Sequence, residues 1–327
     1  MPKVSAHLTR NDWLGTCRVR LGLGRMGYAV DPGLYGLGEP DAGSPVLVSA
    51  NYKLSFDHLR RVLVGRDAWL LVLDTKGINV WCAAGKGTFG TEELAARLKT
   101  SGLARLVSHR RLILPQLAGP GIAAHLLPRA TGFSVHYGPV LAADLPAYLD
   151  GGLVATPAMR CKHFPLAERL ALVPVEVVGA VRWSLPALVL LALFCGLAGG
   201  ESSFVRRAVA HGLAALVPYG AALGAGAVAM PLLLPWLPGR AFAVKGAIAG
   251  GLAAAGLFFV LPGAGYETGG ALLAVVALAS YWGMKFTGAS TYTSLSGVRK
   301  EMRWALPIQI MAGLAGLGCW LAGRLGS

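Results

Sequence analysis

A chain of 327 residues has room for roughly two domains. Only 14% of it is charged and 54% is hydrophobic, with 45 glycines, a composition that excludes a single water-soluble globular domain and requires a membrane to accept part of the chain. The net charge of +14 comes without a basic stripe interleaved with aromatics, which argues against nucleic acid as a partner and points to Lys and Arg flanking membrane spans.

The opening MPKVSAHLTRND has no apolar stretch, so no signal peptide is expected and the first domain is placed in the cytoplasm. Residues 1–43, punctuated by Gly and Pro, are read as an N-terminal extension packing on the domain that follows. Gly22, Gly24 and Gly27 spell GxGxxG, but a dinucleotide fingerprint must follow a strand and open a helix, and Pro32 breaks a helix at once here.

Residues 44–165 form the expected α/β domain. Strands are predicted at 46–50, 70–73, 112–114 and 133–137. Between them lie a helix capped by Ser55 that carries Leu59, Val62 and Leu63, a helix opening at Thr91 with Glu92 and Glu93 in its first turn, and a short helix through His125. Alternating strand and helix is the sequence form of a parallel sheet, whose ligands sit beyond the carboxyl ends of its strands. Asn51, Thr75, Gln116, Gly121 and Tyr137 occupy the loops at those ends and are predicted to face one crevice.

The segment of interest is NVWCAAGKG, residues 79–87. A thiolate at Cys82 is a soft, strongly donating ligand, and a helix N-terminus or a cation such as Lys86 favours the charged form. Ala83, Ala84 and Gly85 leave room for a large flat body to approach the backbone. A buried structural cysteine is the competing reading. A phosphate loop at GKGT, residues 85–88, fails because Val80 stands where the Walker pattern needs Gly. A thiol nucleophile would need a tied His, and none of the seven has a matching spacing.

Residues 166–182 are read as a linker, and Cys161 with His163 in MRCKHF supplies too few ligands for a metal. Beyond it a transmembrane domain, 183–327, is expected with five spans at about 183–200, 208–236, 241–261, 268–284 and 304–323. Lys245 is expected to snorkel, and the pairs Gly220/Gly224 and Gly246/Gly250 to let helices pack closely. Basic residues favour an orientation with the N-terminus inside and the C-terminus outside. No acidic residue falls in these five spans, so an anchor or docking platform outranks a transporter. Cys17, Cys82, Cys161, Cys195 and Cys319 lie far apart, which argues against an intrinsic iron-sulfur cluster, and Cys195 and Cys319 are read as small core residues.

NVWCAAGK resembles the cap-helix signature of the mercury-methylating corrinoid proteins, the membrane-anchored relatives of the corrinoid iron-sulfur protein of the acetyl-CoA pathway. PGLYGLGEP (32–40), SPVLVSANYKLSFD (44–57), WLLVLDTKGINVWCAAGKGTFGTEEL (69–94), HRRLILPQL (109–117) and TGASTYTSLSGVRKEM (287–302) extend the likeness over both halves of the chain. The resemblance implies a Rossmann-like corrinoid-binding α/β domain followed by an all-α transmembrane domain of five helices. It also implies a methyltransferase that passes a cobalt-bound methyl group to inorganic Hg(II), with Cys82 as lower axial ligand of a base-off, cobalamin-type corrinoid. Asn79, Val80, Trp81, Ala83, Ala84, Gly85 and Lys86 would then line the cofactor. Asn79 and Trp81 would position the cap segment and shield the thiolate.

A ferredoxin-like protein with two 4Fe–4S clusters is the implied electron donor, with a folate- or pterin-type methyl donor, Hg(II) and membrane lipid as the other partners. The implied location is the cytoplasmic membrane, multi-pass, with the corrinoid domain in the cytoplasm. No Asp in the chain has a His two residues later, so the Asp-x-His-x-x-Gly histidine ligand of other cobalamin enzymes is unsupported. Two alternatives stay open. One is a methyl-carrying corrinoid protein of one-carbon or acetyl-CoA metabolism; the other is a membrane metal-binding or export protein whose Cys82 handles Hg(II) directly.

Overall fold

The structure is a computed structural model that describes residues 1–197, 203–261, 265–290 and 295–325. The chain divides into two compact units, Met1–His163 and Phe164–Ser327.

In the first unit the chain runs β1 (Lys3–Val4), α1 (Arg10–Arg20), β2 (Gly33–Leu37), β3 (Val46–Ala50), α2 (Lys53–Arg61), β4 (Ala68–Leu73), α3 (Val80–Lys86), α4 (Thr91–Ser101), β5 (Arg111–Leu114), α5 (Leu127–Thr131), β6 (Ser134–Tyr137) and α6 (Leu145–Asp150). The six strands make one sheet in the order β1-β2-β4-β3-β5-β6. Strands β4, β3, β5 and β6 are mutually parallel, while β2 pairs antiparallel to β4. Every residue of β3 and β4 is buried, as continuous apolar runs covered on both faces should be. The side-chain period of two sends Val48, Leu71, Leu73 and Leu112 into the core under α3 and α4. Leu47, Leu70, Val72 and Ile113 point into the opposite core with Phe56 and Tyr148. The chain goes from β3 to β4 on one side and then crosses to β5 on the other, so the winding reverses at β3, the position where open α/β sheets form a ligand crevice.

Several expectations change here. The sheet is mixed rather than parallel, and residues 1–43 supply two of its strands rather than an extension laid on it. The two glycines of β2 (GLYGL) weaken its strand pattern. Helix α2 starts at Lys53 behind Tyr52, so Ser55 lies inside it and caps nothing. Thr91 is the first residue of α4, behind Gly90, and its hydroxyl accepts the Ala123 amide hydrogen at 2.8 Å. His125 lies in a turn, and the helix there, α5, begins only at Leu127 with Pro128 in its first turn.

The second unit contains α7 (Leu166–Leu197), α8 (Phe204–Leu223), α9 (Met230–Leu232), α10 (Phe242–Phe258), α11 (Tyr266–Phe286) and α12 (Leu295–Leu325). A π-helical turn at Gly224–Ala229 joins α8 to α9. Four stretches are long and apolar enough to cross a membrane: Leu166–Leu197, Phe204–Leu232, Tyr266–Ala289 and Ser296–Gly323. The five expected spans thus become four plus α10, whose 17 residues reach only about 26 Å against a hydrocarbon core of about 30 Å. Residues 166–182, expected as a linker, are the first half of α7, which holds both Pro174 and Pro186. The last three residues of the expected 183–200 span, and residues 291–294 of the TGASTYTSLSGVRKEM segment, lie outside the described residues.

Lys245 does not snorkel. It is buried, and its Nζ donates to the carbonyls of Leu234, at 2.8 Å, and Leu237. Buried Arg169 donates to the carbonyls of Pro231, at 3.1 Å, and Leu232. Two cations therefore satisfy carbonyls left without helical partners where α9 ends. Gly246 and Gly250 do permit a close approach, since an added Cβ would lie 2.5 Å from the Ala279 carbonyl and 2.7 Å from the Ala279 Cβ. Gly220 and Gly224 face open space and make no such approach. Glu301 falls inside the Ser296–Gly323 stretch and accepts the Ala243 amide hydrogen at 2.6 Å, and Cys319 is exposed while Cys195 is buried.

Candidate functional site

The loop between β4 and α3 is tied down from below. Asn51, just after β3, is buried, and its Oδ1 accepts from the Thr75 amide at 3.1 Å, the Thr75 hydroxyl at 2.8 Å and the Gly77 amide at 3.0 Å. Lys76 and Gly77 both adopt left-handed backbone, φ 58° and 70°, a bend that the Asn51 bonds hold in place. Asp74 accepts the Lys76 amide hydrogen at 3.0 Å and pairs with its ammonium at 2.5 Å, which holds the Asp74 carboxyl below the usual carboxylate range. From α4, Glu93 accepts the Asp74 amide hydrogen at 2.9 Å.

Helix α3 starts from that fixed loop. Asn79 is its N-cap, and the Asn79 Oδ1 accepts the Cys82 amide hydrogen at 2.9 Å. Gly87, at φ 80°, ends it in a left-handed cap. One face, Ala83 and Ala84, is buried over Phe89, while Trp81, Cys82, Gly85 and Lys86 face outward. Trp81 with Gly85 and Cys82 with Lys86 are neighbours one turn apart. A Cβ added at Gly85 or Gly87 would meet nothing within 4 Å, so the outer face of α3 is open to a large flat body.

The other predicted site residues support this helix instead of lining its outer face. Gly121 lies where a Cβ would come within 2.2 Å of the Phe89 carbonyl and 3.0 Å of the Ala84 Cα, so the loop after β5 packs directly beneath α3. Tyr137 donates its hydroxyl hydrogen to the Ile122 carbonyl at 3.1 Å, fixing that same loop. Gln116 accepts from Arg160 at 2.6 Å. Val80 is half-buried against the core. Asn51 and Thr75 are buried scaffold. Sequence reasoning missed Asp74 and treated Glu93 only as a first-turn charge; its place one helix beyond a loop of left-handed residues was the available signal. Between this loop and the start of α4 lies a cleft of about 650 Å³ lined by Asp74, Lys76, Gly87, Thr88 and Glu93.

The class so defined is a doubly wound α/β domain that presents one exposed thiol on a short helix beyond the carboxyl end of a central strand. Residues 24–140 match the sequence model of a family described as the CO dehydrogenase/acetyl-CoA synthase delta subunit. The chain is 35% identical over 128 residues to the gamma subunit of the acetyl-CoA decarbonylase/synthase complex of Methanothermobacter thermautotrophicus, covering 38% of this chain and 28% of that protein. It is 38% identical over 96 residues to the gamma subunit of Methanocaldococcus jannaschii, 29% of this chain and 20% of that protein. To gamma subunit 2 of Methanosarcina thermophila it is 35% identical over 133 residues, 38% of this chain and 27% of that protein. The chain thus spans about a quarter of the length of these curated relatives. The descriptions differ on the subunit and agree on the acetyl-CoA complex. The family match holds Cys82 and every other predicted site residue, and none of the long apolar helices.

Proposed function

We propose that this chain is a membrane-tethered corrinoid protein that carries methyl groups, with Cys82 as the lower axial ligand to cobalt. The observation that carries the reading is the exposed Cys82 thiol on α3 within the segment that matches the acetyl-CoA complex subunits. The donor chemistry fits: one soft thiolate on an open helix face suits a cobalt ion, and the small residues around it admit a planar macrocycle. When bound, the corrinoid supplies a metal that accepts and gives up a methyl group. The chain's own residues do the rest. Asn79 fixes the first turn of α3 through the Cys82 amide, Ala83 and Ala84 seat the helix on the core, and Lys86 stands one turn from the sulfur.

The names of the relatives support a methyl carrier of acetyl-CoA metabolism ahead of any other use of the site. The finer reading, in which Hg(II) accepts the methyl group, rests on the likeness of NVWCAAGK, residues 79–86, to the cap helix of the mercury-methylating corrinoid proteins. Cys82 would hold the cobalt through a soft, electron-rich thiolate, a donor that would suit methyl transfer to a soft cation. On this reading the reductant is a ferredoxin-like partner with two 4Fe–4S clusters, the methyl donor is of folate or pterin type, and the α/β unit lies on the cytoplasmic side of the cytoplasmic membrane.

The test uses the full chain purified without oxygen, as native protein and as Cys82→Ala, reconstituted with cobalamin. A thiolate-to-cobalt absorption band and a matching electron paramagnetic resonance signal, both lost in the variant, are expected. Identical spectra would remove Cys82 from the metal. Native protein loaded with methylcobalamin is then offered Hg(II) or an acetyl-CoA synthase partner. Methylmercury above the variant's background supports the mercury reading, and transfer only to the synthase supports the general carrier. Purification with neither corrinoid binding nor methyl transfer would leave the metal-export alternative.

A further inference from the structure

Helix α1 turns one face inward, with Asp12, Thr16 and Val19 buried. Asp12 bonds Lys53 and Arg60 of α2, and the Tyr28 hydroxyl donates to the Asp12 carbonyl at 3.4 Å, so the helix is held in a fixed rotation. The face it turns outward carries Trp13, Leu14, Cys17 and Leu21, and the chain beyond it adds Leu23 and Met26. Leu14 is 63% exposed and Met26 77%. Arg10, Leu14, Arg18 and Leu21 follow one another at spacings of three and four, so arginine and leucine alternate along that face. Exposed apolar side chains grouped in this way and rimmed by charge mark an interaction surface.

The free charge beside it is of one sign. Asp12 is the sole acid in residues 1–30 and Asp57 the sole acid of α2, and both are buried and shared between Lys53 and Arg60. Among the described residues Arg10, Arg18, Arg20 and Arg61 form no ion pair. Burial, and then the charges of Arg61 and Arg20, push the His58 imidazole below its ordinary value, so those two arginines share one spot. Burial lifts the Tyr52 hydroxyl against the pull of Arg25 and Arg20, which adds Arg25 to the same cluster.

We infer that this face of the first unit seats on an anionic phospholipid surface, its arginines on lipid phosphates and Trp13, Leu14, Leu21 and Met26 in the boundary between head groups and acyl chains. The charge calls for an anionic partner. The aliphatic residues set between the arginines suit acyl chains, whereas nucleic-acid bases would call for aromatic side chains to stack on. A bilayer is also within reach along the chain, because the first stretch long and apolar enough to cross one starts at Leu166 and the unit ends at His163. In a compact unit of this size no surface point lies farther than about 40 Å from the chain's exit. The inference rests neither on Cys82 nor on the methyl-carrier reading.

The experiment takes the full chain in nanodiscs of phosphatidylcholine alone or of phosphatidylcholine mixed with phosphatidylglycerol. It follows labelling of Cys17 by a neutral, water-soluble biotin maleimide, read by mass spectrometry against Cys161, which is also exposed in the first unit. Relative to Cys161, Cys17 should label about tenfold more slowly in the anionic discs, a modest share of what the arginines supply at such a surface. High salt should restore the rate. The combined variant Arg18→Gln, Arg20→Gln and Arg61→Gln should label equally fast in both discs, and at the native rate in the neutral ones, which shows that its fold is kept. The matching triple lysine variant should stay protected. If the glutamine variant unfolds, the native protein with and without salt decides alone. Equal Cys17 labelling of native protein in both discs, protection that high salt leaves intact, or protection that persists in the folded glutamine variant would each overturn the assignment, the first of these leaving the face to an acidic protein.

Discussion

The Asn79 side chain holds the amide of Cys82 at 2.9 Å, so the residue that caps α3 also sets the backbone beneath the thiol. A helix of 7 residues has little cooperativity of its own, and loss of its cap should be felt along its length. Asn79→Ala is expected to cost about 1 kcal/mol locally and Asn79→Asp almost nothing. Hydrogen exchange at the Cys82 and Ala83 amides, read by mass spectrometry, checks this: exchange should accelerate in the alanine variant alone.

Asn51 and Thr75 make a second prediction, because the sequence places them in the crevice and the structure buries them under the β4–α3 loop. Asn51→Ala strips the acceptor from the Thr75 and Gly77 amides, each costing about 1–3 kcal/mol if left unpaired, while the Thr75 hydroxyl keeps the Ile78 carbonyl at 2.7 Å. Thermal unfolding should fall accordingly in apo protein. A residue that served only to contact a cofactor would leave apo stability unchanged and alter affinity alone.

Gly121 supplies the third. Its neighbours leave no room for a methyl group, with the Phe89 carbonyl at 2.2 Å from the position of a Cβ. Gly121→Ala should push the loop after β5 away from α3 and cost about 1–3 kcal/mol through overpacking. Gly85→Ala, facing open space on the outer surface of α3, should be neutral or slightly stabilising to the apo protein, since alanine favours helix by about 1 kcal/mol over glycine. A difference in unfolding midpoint between the two variants is the readout.

The central strands were legible in the sequence because β3 and β4 are buried on both faces and so are unbroken apolar runs. The short helix α3 was legible only through the likeness of NVWCAAGK to a known cap helix, while the Asn79 and Gly87 caps that set its ends, and the outward face of Cys82, came from the structure. What was not legible was long-range. Nothing local tells that residues 3–4 and 33–37 join the sheet edge, or that Asn51 turns inward to bond a loop 24 residues away. In the apolar half, hydropathy marked the spans, but Pro174 did not stop α7. Prolines inside apolar helices are tolerated where neighbouring groups satisfy the freed carbonyls. Lys245 turned inward to the carbonyls of Leu234 and Leu237, a demand set by the end of α9 that no window around Lys245 displays.

The fourth prediction concerns pH. Asp12 joins α1 to α2: its carboxylate takes Lys53 at 2.5 Å and Arg60 at 2.8 Å, and it closes a capping box with Thr9. Burial alone would raise the Asp12 carboxyl, but the bonds from Lys53, Thr9 and Arg60 outweigh it and hold the group well below the ordinary carboxylate value of 3.8. Lys53 moves the opposite way: burial pulls it down, and the bonds from Asp12 and Asp57 raise it overall. A carboxyl depressed on folding contributes stability that is fully present above its unfolded value and is lost as pH falls through its folded value. Asp12→Asn should therefore lower the stability of the native protein by a constant amount at pH above about 5, with the gap narrowing steadily below about 4. Lys53 and Arg60 remain charged throughout that range, so the narrowing reports the carboxyl. Chemical unfolding of native and variant protein at a series of pH values measures the gap, and a gap that stays constant down to about pH 2 would mean that Asp12 holds its partners by shape and not by charge.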